Sequence, residues 1–289
     1  MLTRYSFPLL SALVCVLCIV ASPVAAQSAN DNEPRGIAGF FVRWDRRALR
    51  AQENQPNWLS PVITSTSRLK QEFRYDMMWQ SNGGDATTDN YGGSKGLTTL
   101  PFERMEVSIN LPPYVVHNGS SQRDGFGDFS ILSKFRILAA NRKHGDYALT
   151  AFLAASFPTG SYKNGSPHAI ITPTIAGGKG LGDFVFEGTL GCDLPSSQTA
   201  VLGRRIISND ALQYRHWAKF WPEVEVNSNV YDDGPNDGRK QVYITPGLSA
   251  GRFPIHGHLT LTLAAGTEIA VTHFHSAKYQ TVFSIRLPF

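Results

Sequence analysis

Apolar and polar side chains alternate with a period of two along most of this chain, a pattern that very few folds can use. Between Leu69 and Gln80, Leu69, Phe73, Tyr75, Met77 and Trp79 share one parity with Gln71, while Lys70, Glu72, Arg74, Asp76 and Gln80 take the other. Successive side chains of a strand point to opposite faces, so such a run predicts a strand with one greasy face and one ionic face. The same grammar recurs: Met105, Val107, Ile109 and Leu111 against Arg104, Glu106, Ser108 and Asn110; Phe129, Ile131, Phe135 and Ile137 against Ser130, Lys134 and Arg136. It continues with Phe184, Phe186 and Leu190 against Glu187, Thr189 and Asp193, and with Val224, Val226 and Val230 against Glu223, Glu225, Asn227 and Asn229. Leu259, Leu261, Leu263, Ile269 and Val271 oppose Thr260, Thr262 and Glu268; Tyr279, Thr281, Phe283, Ile285, Leu287 and Phe289 oppose Lys278, Gln280, Ser284 and Arg286.

A soluble sandwich and a membrane barrel both use strands of this kind, with the polar face turned outwards in one and inwards in the other. Length separates them. Many of the runs reach ten to fourteen residues, beyond the usual five or six of globular sheets but matched to a tilted crossing of about 25 Å of hydrocarbon. Tyr75, Trp79, Tyr147, Phe157, Trp221, Tyr231 and Tyr279 fall towards strand ends, where interfacial girdles belong. Tyr279, Phe283, Ile285, Leu287 and the terminal Phe289 resemble the C-terminal assembly signal by which barrel-insertion machinery recognises outer-membrane barrels. The expected fold is an all-β, antiparallel transmembrane barrel over 68–289.

The strands are expected near 68–81, 93–101, 103–115, 127–141, 145–157, 167–179, 182–194, 209–218, 220–231, 239–252, 257–271 and 278–289. Twelve is an even number, which returns both ends to the periplasmic side, and short turns alternate with loops at 82–92, 116–126, 158–166, 195–208, 232–238 and 272–277. Residues 1–26 read as a secretory signal peptide: Arg4 precedes an apolar run from Leu9 to Val20, and Val24-Ala25-Ala26 precedes Gln27. Of three cysteines only Cys192 survives its removal, so the mature chain has no internal disulfide. Residues 27–67 lack the alternation, apart from Ile37 to Trp44, and are expected to form a periplasmic or lumen-entering segment. The expected location is the outer membrane of a Gram-negative bacterium. Composition excludes two other classes: 42% hydrophobic residues with 17% charged is unlike a disordered chain, and a formal charge of +4 without a dense Lys/Arg run does not mark a nucleic-acid binder.

Several strings, taken in order and spacing, are familiar: Gly125-Phe126-Gly127-Asp128-Phe129 followed by Lys134-Phe135-Arg136, then Phe157-Pro158-Thr159-Gly160-Ser161, then Pro173-Thr174 running into Gly178-Lys179-Gly180-Leu181-Gly182-Asp183-Phe184. Over roughly 68–289 the chain resembles a family of outer-membrane proteins named for the phenol meta-cleavage pathway. The resemblance implies a barrel that helps small, often hydrophobic or aromatic, compounds across the membrane, and brings no catalytic residues with it.

The ionic face supplies the candidate site. Lys70, Arg74, Arg104, Lys134, Arg136, Arg215, Lys278 and Arg286 are expected to point inwards, as are Glu72, Asp76, Glu106, Glu187, Asp193, Glu223, Glu225 and Glu268, with Tyr243 a further lumen candidate. Eight bases face eight acids. Such balance suits a channel of weak ion preference or an internal ion-pair network that narrows the lumen, whereas a selective pore has a dominant sign. Twelve strands tilted about 40° give a backbone radius of roughly 12 Å.

Other motifs read more plainly. The Gly-x-Gly-Asp-Phe strings lack the Gly-Lys-Ser/Thr of a phosphate loop and read as turn glycines. Ser81-Asn82-Gly83 echoes outer-membrane phospholipases, yet Trp79 stands where their base belongs. His273 and His275 are the pair best placed for a metal, but two imidazoles fall short of the usual zinc set, so no metal and no cofactor are expected. A passive channel or porin without enzymatic activity is the reading that follows, its partners membrane lipid, the insertion machinery and a small solute. A non-transporting structural or adhesive barrel and an outer-membrane hydrolase are the alternatives.

Overall fold

A computed structural model describes residues 36–81, 86–93 and 96–289. The signal-peptide reading and the Asn82-Gly83 string lie outside the described residues. The chain divides into two units, Met1–Val42 and Arg43–Phe289. Of the first, Gly36–Val42 are described, as opening turns of helix α1 (Gly36–Glu53). The second contains the barrel.

Fifteen strand segments follow: β1 (Glu72–Ser81), β2 (Thr87–Tyr91), β3 (Gly96–Phe102), β4 (Met105–Asn110), β5 (Tyr114–Asn118), β6 (Gly125–Phe126), β7 (Phe129–Ala140), β8 (Tyr147–Phe157), β9 (Ile170–Leu181), β10 (Phe184–Pro195), β11 (Arg204–Tyr214), β12 (Phe220–Asp232), β13 (Lys240–His256), β14 (Leu259–Ala270) and β15 (Tyr279–Pro288). All pairings are antiparallel, and β15 pairs with β1 from Glu72↔Pro288 to Ser81↔Tyr279, which closes the ring. One end of β1 pairs with β2 and the other with β3. Likewise β2 pairs with β5 while β3 pairs with β4. Thus β2/β3, β4/β5 and β6/β7 are three interrupted strands, and fifteen segments make the twelve-stranded transmembrane barrel that the alternation predicts.

The interruptions lie side by side. Gly92, at φ +106, donates its N–H to Asp76 O at 2.8 Å, and Gly127 N–H reaches Pro113 O at 2.8 Å. Proline has no N–H to give a ladder, so Pro112-Pro113 ends β4 and β5 begins beyond it. In β7 a register shift between Arg136 and Leu138 leaves both Ile137 and Leu138 on the outside.

Polarity is inverted relative to a soluble protein. On β1, Glu72, Arg74 and Asp76 are buried while Phe73, Tyr75 and Trp79 are exposed; on β10, Glu187 and Thr189 are buried while Phe184, Phe186 and Leu190 are exposed. A sheet closed on itself removes its edges and lets oily residues face lipid while their neighbours turn inwards. Several boundaries differ from the sequence reading, β13 among them, which runs on to His256 rather than ending at 252. Strand β1 starts at Glu72 rather than 68, the eighth barrel strand β11 is Arg204–Tyr214 rather than 209–218, and the second reaches back to Thr87. Trp221 is not a girdle residue: it is buried with Trp58, Leu59 and Val185.

Candidate functional site

The chain leaves α1 among the short turns at one mouth of the barrel. Arg50 Nε lies 2.6 Å from Glu103 Oε1, Asn141 Nδ2 donates to Glu53 O at 3.0 Å, and Arg136 Nη1 donates to Ala51 O at 2.7 Å. Ala48 and Ala51 pack against Leu69 and Leu100. The main chain then enters the lumen and returns. Gln55 pins the two ends of this excursion with its side-chain amide, donating to Leu69 O at 2.6 Å and accepting from Leu69 N–H at 3.0 Å. Residues 55–69 therefore form a closed loop without regular secondary structure, inside the barrel and mostly buried.

Burying such a loop obliges the wall to satisfy its main-chain groups, because an unpaired buried N–H or C=O is costly. The inward ionic residues meet that demand. Glu223 accepts from Val62 N–H (3.1 Å), Glu225 from Ile63 and Thr64 N–H (2.8 and 2.6 Å), and Glu187 from Ser67 N–H (2.8 Å) and the Thr66 and Ser67 hydroxyls (2.7 and 3.0 Å). The cations take the carbonyls. Arg286 donates to Ser60 O and, at 2.7 Å, to Pro61 O; Arg74 donates to Val62 O at 2.7 Å; Lys134 donates to Thr66 O at 3.1 Å. Neutral hydroxyls add to the grip: Ser249 donates to Ser60 O and Thr150 to Ser67 O. Alternation has placed carboxylates and cations on one face, where they also pair along a strand, as Arg74 with Asp76 at 2.8 Å, or across strands, as Lys134 with Glu106 at 3.0 Å. Lys70 pairs with Glu72.

Trp58 anchors the loop. It is fully buried, and its indole N–H donates to Asp146 Oδ1 at 3.0 Å, whose other oxygen lies 2.7 Å from Arg215 Nη1. Gly178 and Gly180 make the room. A Cβ on Gly178 would lie 2.5 Å from the Trp58 ring, and one on Gly180 would collide with the Asp146 carboxylate. The turn-glycine reading of 180–184 is thus corrected at Gly180, which is a strand residue facing the loop as Gly178 is, while Gly182, at φ +59, is in the turn. Arg252, at φ +56 where β13 slips against β14, turns its guanidinium to Trp58 O at 2.6 Å and Asn57 O at 3.2 Å. Near Thr66, a cavity of about 40 Å³ between the loop and β1, β3, β4 and β7 has room for little more than a water molecule.

The remaining candidates are scattered around this grip. Tyr243 is buried and donates to Ala277 O at 2.9 Å; Glu268 accepts from Gln280 at 3.1 Å; Asp193 is held by Arg205 at 2.6 Å and Thr172 at 2.7 Å. Arg104 and Lys278 are exposed, Lys278 with its ammonium 5.4 Å from the Tyr279 ring centre. Tyr279 and Phe289 are exposed and Phe283, Ile285 and Leu287 partly so. His273 and His275 are exposed, His275 Nδ1 lying 3.0 Å from Thr272 O, and no three His, Cys, Asp or Glu converge on a metal-sized site among the described residues. Sequence reasoning missed Gln55, Trp58, Asp146 and Arg252. One signal was available: a tryptophan in a stretch without alternation has no membrane face to serve.

The sequence pattern of the family described as "Putative MetA-pathway of phenol degradation" matches residues 71–272. Among solved structures, the COG4313 outer membrane channel from Pseudomonas putida F1 is similar at a TM-score of 0.53 and 13% identity, over 80% of this chain and 100% of that one. The translocator domain of the autotransporter NalP from Neisseria meningitidis aligns at a TM-score of 0.43 and 13% identity, over 76% of this chain and 86% of that one. Salmonella typhi OmpF in complex with daunomycin aligns at 0.35 and 8%, over 75% and 96%. No curated protein matches the chain.

Proposed function

The chain belongs to this phenol-degradation family, and from that premise we propose that it is an outer-membrane channel for passive uptake of small molecules, closed when residues 55–69 occupy its lumen. Aromatic and other apolar solutes are the class to which the family description points. Export by the signal peptide over 1–26, and insertion through the C-terminal strand ending at Phe289, belong to the same reading.

One observation carries it: Glu, Arg and Lys side chains of the wall hold the main chain of residues 60–67, and water can solvate these groups once the loop withdraws. The occupied lumen also favours a second reading, a non-transporting barrel in which the loop is a permanent filling. Single-channel recording of the full chain in planar bilayers, beside a Glu187→Ala/Glu225→Ala variant, separates the two. Brief openings that lengthen in the variant support a channel. Silence from both, with each barrel shown folded by heat-modifiable migration, leaves the non-transporting reading.

A further inference from the structure

On the outer wall, β11 places a carboxylate among outward positions that are otherwise mostly apolar, with hydroxyls at Ser208, Thr267 and Thr281. Asp210 stands between Ser208 and Leu212 on the outward parity, beside Gly188 of β10 and Val226 of β12, and is exposed. It lies four residues from Tyr214, which packs among Phe184, His216 and Trp217 at the strand end. At 3.3 Å per residue and a 40° tilt, that places the carboxylate about 10 Å inside the hydrocarbon from this aromatic rim. An aspartate side chain is too short to reach back to water across that distance. Its hydrogen bond, from Ser208 Oγ at 3.1 Å, is neutral, and no salt bridge joins it among the described residues. The one cation lining the same groove, Lys179, is drawn to the rim, where its Nζ donates to Gly145 O at 2.5 Å and sits 5.6 Å from the Tyr147 ring centre.

Asp210 also sits in a built depression. Gly177 and Gly188 leave the wall without side chains there, and the carboxylate folds across Gly188, where a Cβ would be 2.7 Å from Oδ1. Phe186, Leu212, Val224 and Val226 wall a groove of about 580 Å³, within the size of small-molecule sites. Of the donors a membrane can offer, a cationic one gives a carboxyl group its strongest hydrogen bond.

We propose that this groove binds a membrane-dissolved apolar molecule bearing a primary ammonium group, its chain along Phe186, Leu212, Val224 and Val226 and its N–H groups on Asp210. The site is on the outer wall and does not rest on the channel reading.

Dodecylammonium is the probe and dodecanol the control, each titrated onto the full mature chain in a neutral detergent and counted by native mass spectrometry. The expected result is one bound amine, weakened at least tenfold by Asp210→Asn and by Gly177→Leu, with dodecanol bound more weakly and indifferent to Asp210→Asn. A Cβ on Gly177 meets Leu149 Cδ1 at an ordinary 3.7 Å, so the strand accepts a side chain there. Should Gly177→Leu fail to fold, Asp210→Asn alone decides. Amine binding unchanged in Asp210→Asn, or matched by dodecanol, overturns the proposal. So does a dimer of this chain that Asp210→Asn dissociates, since the groove then belongs to a second copy.

Discussion

The two halves of the lumen are polar in different ways. Towards the turns, where the loop enters, the wall is ionic: Arg74, Lys134, Arg286, Glu187, Glu223 and Glu225 all bond to residues 60–67. Towards the long loops the wall is largely amide and hydroxyl, and these groups satisfy one another. Gln80 bonds to Gln280, Asn227 Nδ2 to Asn209 Oδ1 at 3.1 Å, and Thr245 Oγ1 to Asn227 Oδ1 at 2.9 Å. Neutral side chains carry donors and acceptors together and close their own networks across a sheet, whereas ions buried in a protein need partners of opposite kind. Much of the charge balance read from the sequence is therefore the footprint of a bound peptide. With residues 55–69 in the lumen, these groups hold main chain.

The contrast breaks most readily at the anchor. Trp58→Ala removes a fully buried indole, a loss of about 3–5 kcal/mol, enough to shift loop release more than 100-fold. Tryptic cleavage after Arg68 and Lys70 in reconstituted protein should rise accordingly, while the barrel keeps its heat-modifiable migration. Next in size is Glu225→Ala, which strips the acceptor from the buried Thr64 N–H and the part-buried Ile63 N–H, at about 3 kcal/mol together. The same cleavage assay should respond; an unchanged cleavage rate would mean that the ionic wall does not hold the loop.

Much of this fold was legible because lipid and lumen impose opposite demands on neighbouring residues, and the C-terminal strands were read to within a few residues. Strand β11 was displaced for two physical reasons. Its closing turn, 215–219, contains no Gly or Pro to announce it, being tightened by the Phe220 N–H to Trp217 O bond at 2.7 Å, and Asp210 interrupts the apolar parity. The loop was illegible in detail for another reason. Its residues are recognised through main-chain atoms, which every residue carries, so Ser60, Pro61 and Thr64 leave no periodic trace. Glu187 and Arg286 could be placed inside by parity, but nothing in their spacing distinguishes an ion that lines water from one that holds a carbonyl.

Gly178→Ala tests the anchor from the wall side. The added methyl would lie 2.5 Å from the indole, an overpacking worth about 1–3 kcal/mol, so cleavage after Arg68 should rise less than in Trp58→Ala. The double variant should add little to Trp58→Ala alone, because without the indole the methyl meets only the Glu187 Cγ at 3.1 Å, and residues that share one contact are not additive.

The smallest effect is expected in the other half. Gln280→Ala breaks bonds to Gln80 and Glu268, costing about 1 kcal/mol or less where water can replace the lost partners. No described hydrogen bond links Gln280 to residues 55–69, so loop cleavage should stay at the wild-type rate even if the barrel melts slightly earlier. An increase comparable to Glu225→Ala would mean that the amide half transmits strain to the loop, and the division of labour between the two halves would fail.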